Sequence, residues 1–204
     1  MSAIFNRFRR ARMLALVLIS SVAVGSAALA AGSSEKSSEE KADEQRQDAL
    51  EHYNEGVEHM ERAREIAAQD DSAFAYNYRA TVDAKAEKEY EKAVERFRKA
   101  IDKDPEMIEA HNNLGYSLRK LGRLEASLEA YNRALEIDST FAQAREYRGE
   151  TYLAMGELEK AQRDHQYLRS IESPYADTLQ MSIDLYQLQE IDARMRSGEG
   201  GDAQ

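Results

Sequence analysis

The chain has 204 residues, with 28 Lys and Arg set against 38 Asp and Glu for a net charge of −10. Such a surplus of acid repels nucleic acid and anionic lipid headgroups as bulk targets. With no Cys, a lipid-anchored lipoprotein, disulfides and thiolate-bound zinc are excluded, and the lack of Trp with only 2 Pro and 10 Gly fits an all-helical protein.

In chain order, the first segment carries Arg7, Arg9, Arg10 and Arg12 with no acid, then runs apolar or small from Met13 to Ala31 and ends in "AALAAG". A basic start, an apolar stretch and small residues at Ala28 and Ala30 predict a secretory signal peptide over residues 1–30, cleaved before Ala31. The alternative is an uncleaved inner-membrane anchor, because ~20 apolar residues can span a bilayer. Cleavage would leave 24 basic residues against 38 acidic ones, a net −14 in a periplasmic protein. Gly32–Gln47, "GSSEKSSEEKADEQRQ", has no apolar residue larger than alanine. It cannot bury enough surface to offset its ordering entropy, so residues 31–44 are expected to be a disordered spacer, as is the tail 196–204.

Everything between has helical periodicity, with no run of β-branched residues bounded by turn signals. Residues 45–107 read as one long hairpin, helices 45–69 and 74–103, turning at "QDDS". Residues 108–141 laid over 142–175 match without a gap at a period of 34: Ala110 over Ala144, Gly115 over Gly149, Gly122 over Gly156, Leu124 over Leu158, Ile137 over Ile171. Asp104–Pro105 and Ser173–Pro174 each read as an N-cap followed by a first-turn proline. The second of these opens a last helix, 174–195, carrying Tyr175, Leu179, Ile183, Tyr186 and Ile191.

A 34-residue period with a helix–turn–helix pattern resembles the tetratricopeptide repeat family, over residues ~45 to 173. The resemblance implies an all-α helix–turn–helix solenoid with repeats at 108–141 and 142–173, an elongated first hairpin and a C-terminal capping helix. Gly115, and Gly149 after it, would let the first helix of a repeat lie close to the second, which presents Ser127 and Ala134. Gly122 and Gly156 would end helices in a conformation that a β-carbon opposes. Gly56 in "YNEGVEHMERARE" takes the close-contact place in the first hairpin. From Gly56 to Tyr90 is 34 residues where the family has nine, so each helix is extended by ~12 residues, or ~18 Å. His111 and Leu118 replace aromatic residues common in the family, and Ser139 its usual proline. Arg148 beside Gly149 resembles a family variant with an acid on the partner helix, which implies an Arg148–Asp164 ion pair.

For catalysis there is no phosphate loop, nucleophile elbow or Cys, and the four His are scattered; no enzyme, metal or cofactor is implied. His52 and His59 share a face with Glu55, the one place a metal could be assembled. The resemblance instead offers a concave groove lined by the first helix of each repeat. Its predicted lining is Tyr53, Val57 and Met60, with Glu61; then Asn112, Tyr116, Arg119 and Lys120, with Glu109; then Gln143, Glu146, Glu150 and Leu153, with Ala154. A carboxylate clamp of the co-chaperone type is not supported, since Asn112 and Tyr116 stand where it has Lys and Asn. The reading is a noncatalytic adaptor holding a segment of another cell-envelope protein, against two alternatives: a homo-oligomer built through the long hairpin, or a metal-handling protein using His52 and His59.

Overall fold

Seven helices and no strand are found among the described residues of the computed structural model, 36–68 and 76–197. The expected signal peptide or anchor, the start of the spacer (31–35), the turn at 69–72 and the end of the tail (198–204) lie outside them. The first hairpin is α1 (Ser38–Ala68) with α2 (Tyr76–Lys103). The first repeat is α3 (Ile108–Lys120) with α4 (Leu124–Ile137), and the second is α5 (Ala142–Ala154) with α6 (Leu158–Ser170). The last helix is α7 (Tyr175–Ser197). Among the described residues no helix is long and apolar enough to cross a membrane.

Helix α1 begins inside the stretch expected to be disordered. Its side chains up to Gln47 are exposed, so the composition is right that nothing there feeds a core. Local chemistry holds the helix instead. Ser37 Oγ accepts the Glu40 N–H at 3.2 Å while a Glu40 carboxylate oxygen accepts the Ser37 N–H at 2.8 Å. This is a reciprocal capping box, and Glu39 and Glu40 in the first turn also suit the positive end of the helix dipole. At the other end α7 runs to Ser197, two residues into the expected tail.

Three glycines make room for large side chains rather than for a neighbouring backbone. A β-carbon on Gly56 would sit 2.6 Å from the Phe97 ring, and one on Gly115 would sit 2.7 Å from the ring of Tyr131. Phe97 and Tyr131 are fully buried and stand 34 residues apart, so the first hairpin and the first repeat use the same contact. In the second repeat His165 takes that place in the sequence, and it is Leu179 of α7 that covers Gly149, 2.6 Å from a β-carbon there. Ser127 adds a buried bond across the first repeat, its hydroxyl donating to the Gly115 carbonyl at 2.7 Å.

The turns repeat as well. Gly122 and Gly156 have φ of +72° and +78°, and each donates its N–H three residues back while the following residue donates to Leu118 or Tyr152. That is the Schellman arrangement. Glu172 ends α6 in the same way at φ +53°, with Ser173 N–H bonded to the Leu168 carbonyl at 3.0 Å. Asp104 does not cap α3. Its carboxylate accepts the Glu106 N–H at 3.1 Å in a local turn and the helix starts at Ile108; Asp138 does the same with Thr140 at 2.8 Å. A short acceptor that can bond its own backbone two residues on prefers that turn when the helix begins later. Ser173, by contrast, accepts the Tyr175 N–H at 3.3 Å at the start of α7.

Arg148 and Asp164 meet as a two-pronged pair, Nε to Oδ2 at 2.9 Å and Nη2 to Oδ1 at 2.6 Å. Asp164 is buried, so its charge needs these partners. Arg148 also donates to Asn132 of the preceding repeat at 2.7 Å, and Arg145 reaches Asp164 at 3.3 Å while stacking on the Tyr167 ring at 3.5 Å.

Candidate partner-binding face

The first helix of each unit sends side chains to one shared face, centred on Tyr116 of α3. Tyr90 of α2 lies 6.3 Å from it, edge on, and Tyr147 of α5 lies 5.4 Å away, with Tyr131 a further 6.1 Å beyond Tyr147. Burial raises the Tyr90, Tyr131 and Tyr147 hydroxyls above their ordinary pKa. The four rings form a continuous aromatic strip across α2, α3, α4 and α5.

Three cations converge on the strip. Arg64 is 5.6 Å from the Tyr116 ring centre, Arg119 5.5 Å and Lys120 5.5 Å, all within cation–π range. Arg119 is largely covered and already paired, with Glu150 at 2.8 Å, and it also faces Tyr147 at 5.8 Å. Arg64 is exposed and bonded to Glu61 at 3.0 Å. Lys120 is exposed, and among the described residues no carboxylate lies within ion-pair distance of it. Desolvation, reinforced by Arg119 and Arg64, holds its ammonium below the ordinary lysine pKa, with Glu150 opposing.

Other predicted lining residues are not on the surface. Asn112, Glu146, Met60 and Leu153 are buried, and Asn112 donates to Asn113 at 3.3 Å. Met60 belongs to the core between α1, α2 and α3, and Leu153 to the core under α7. Leu153 is covered by α7, and Met60 points from α1 into the core rather than to the surface. Tyr53 and Val57 are half-buried against the first core, and Tyr53 Oη accepts from Asn113 at 3.2 Å. Gln143 donates to Tyr147 Oη at 3.2 Å. The free lining is therefore Tyr116, Lys120 and Arg64, with Arg119 and Glu150 as a paired floor.

Arg64 and Tyr147 were missed by sequence reasoning. Arg64 was legible, because Tyr53, Val57, Met60 and Arg64 continue one stripe at helical spacing. The histidines do not share a ligand. His59 bonds Glu89 at 2.7 Å, and Lys92 with His59 holds the Glu89 carboxyl below its usual range. His52 lies 3.5 Å from Glu55, and among the described residues no cluster of three metal-ligating side chains occurs. His111 is buried, with Nε2–H donating to the Pro105 carbonyl at 2.9 Å.

The TPR repeat family matches residues 85–122 and 115–156, so the chain carries TPR repeats. The fold is similar to the first TPR of Spaghetti (RPAP3), solved bound to the HSP90 peptide SRMEEVD, with a TM-score of 0.53 and 17% identity over 70% of this chain and 95% of that one. The second TPR domain of human RPAP3, solved in complex with the HSP70 peptide SGPTIEEVD, gives a TM-score of 0.44 and 23% identity over 48% of this chain and 83% of that one. No curated protein matches the sequence. Together with the seven helices of the described residues, the family match and the first of these structures show an all-α TPR-type helical solenoid.

Proposed function

We propose that the chain is a noncatalytic periplasmic adaptor that lays an acidic segment of another cell-envelope protein against Tyr116, Arg64 and Lys120. The observation that carries this reading is the convergence of three cations on one tyrosine, with no carboxylate among the described residues within ion-pair distance of Lys120. An incoming carboxylate would offset the repulsion that Arg119 and Arg64 exert on Lys120, while the half-buried Tyr116 and Tyr147 supply flat contact area of the kind interfaces favour. A solved TPR domain of the same fold holds a peptide, which supports a peptide as the occupant. The residues that would grip it here are this chain's own. Export rests on the basic, then apolar, then small-residue N-terminus.

The test is in-cell crosslinking from a photoreactive residue at position 116, with products identified by mass spectrometry. One foreign adduct is expected, lost with Lys120→Glu. Arg119 is avoided because its reversal would set an acid against Glu150. An adduct indifferent to Lys120→Glu, or no adduct, overturns the assignment of this face.

A further inference from the structure

The last helix is apolar on two opposite sides. Ala176, Leu179 and Ile183 are buried against α5 and α6. On the far side Met181, Leu185, Leu188, Ile191 and Met195 are 72, 57, 63, 49 and 70% exposed. At 100° per residue these five fall within about 120° of arc, a stripe along the helix that Asp184 and Asp192 share. A terminal helix in a repeat array needs a polar outer face to end the stack, and α7 presents an apolar one.

The order of residues in the stripe points to what covers it. Read in either direction from Leu188, the spacings are the same: three residues to Leu185 or Ile191, and seven to Met181 or Met195. Met, Leu, Leu, Ile, Met is thus nearly its own reverse. A two-fold axis through Leu188 would set Met181 against Met195, Leu185 against Ile191 and Leu188 against itself, large apolar on large apolar at each of these positions. The same operation brings Asp184 of one copy level with Asp192 of the other, on opposite flanks of the apolar line, and puts Arg194 two residues further along on the flank of Asp184. An interface that presents one patch to its own copy must be self-complementary in this way.

We infer that α7 pairs antiparallel with α7 of a second copy, making the protein a two-fold dimer through Met181, Leu185, Leu188, Ile191 and Met195. The patch offers on the order of 500 Å² of apolar surface per copy, at the low end for a specific interface. A membrane surface is disfavoured as the occupant: Asp177, Asp184 and Asp192 fall within the arc of the stripe, whereas interfacial helices keep that arc apolar and flank it with Lys and Arg. The long first hairpin, the alternative route to self-assembly, has little to offer in its described extension, where Ala86 is the one buried side chain of residues 83–89.

Sedimentation velocity of the purified chain from 1 to 200 µM tests this. A monomer–dimer equilibrium is expected, weakened more than tenfold by Leu188→Glu with the circular dichroism spectrum unchanged, since Leu188 is exposed. Orientation is read by single cysteines, because the chain has none of its own. Leu188→Cys should crosslink to itself on oxidation. Met181→Cys should link to Met195→Cys in a mixture but not to itself, its own copies lying ~20 Å apart across the axis. A monomer at all concentrations, a dimer unaffected by Leu188→Glu, or self-linking at position 181 overturns the proposal.

Discussion

Gly115 and Gly149 occupy the same place in consecutive repeats, yet they are closed by different parts of the chain. Tyr131, from the repeat's own second helix, fills the space over Gly115; Leu179, from α7, fills the space over Gly149. The cause is one residue: the 34-residue period that puts Tyr131 in the first repeat puts His165, half-buried, in the second. The first repeat completes its own core, and the second borrows from its neighbours. It borrows in two directions, taking apolar cover from α7 and, through Arg148 and Asn132, a polar tie from α4.

Substitutions can break this contrast. The largest effect should come from Arg148→Ala, which leaves buried Asp164 with Arg145 alone and Asn132 without its donor. A loss of about 3 kcal/mol is expected in urea denaturation, with amide exchange accelerating in α5 and α6 before α3 and α4. Next come the two glycines. Gly115→Ala drives a β-carbon into a fully buried ring and should cost about 2 kcal/mol. Gly149→Ala meets the flexible end of Leu179, which can shift with α7, and should cost about 1 kcal/mol. Equal losses would dissolve the distinction between a closed repeat and a borrowed one.

Glu172→Gly should act in the opposite sense. Glu172 holds a left-handed conformation that Gly122 and Gly156 reach without a β-carbon. Removing the β-carbon there should stabilise the chain by roughly 0.5 kcal/mol, once glycine's own entropy cost is subtracted. The smallest effect concerns His111, whose burial holds its pKa below the ordinary value. A depressed folded-state pKa contributes stability above the unfolded pKa of about 6.5 and loses it as pH falls. Stability should therefore decline from about pH 6.5 downward, and His111→Gln, which can still donate to Pro105, should flatten that slope between about pH 7 and 5.

The repeat period, the helix-ending glycines and the Arg148–Asp164 pair were legible because each is a local pattern with one good physical solution. The start of α1 was legible too, in "SSEE", but composition outweighed the capping box in the reading. Disorder follows from lack of a core only where no local network offsets it. Asn112, Glu146 and Leu153 misled for another reason. A family register says which way a side chain points, not what covers it, and Leu153 is covered here by the added α7. Arg64 shows the converse, a stripe followed for three steps and stopped one short.

The doubled length of the first hairpin has a consequence for the time course of folding. Tyr131 reaches Gly115 across 16 residues of chain, whereas Phe97 reaches Gly56 across 41. Shorter loops lose less entropy on closing, and contacts near in sequence form sooner. The middle of the molecule is therefore the expected nucleus. The N-terminal hairpin, although it leaves the ribosome first, docks last onto a surface that α3 has already built.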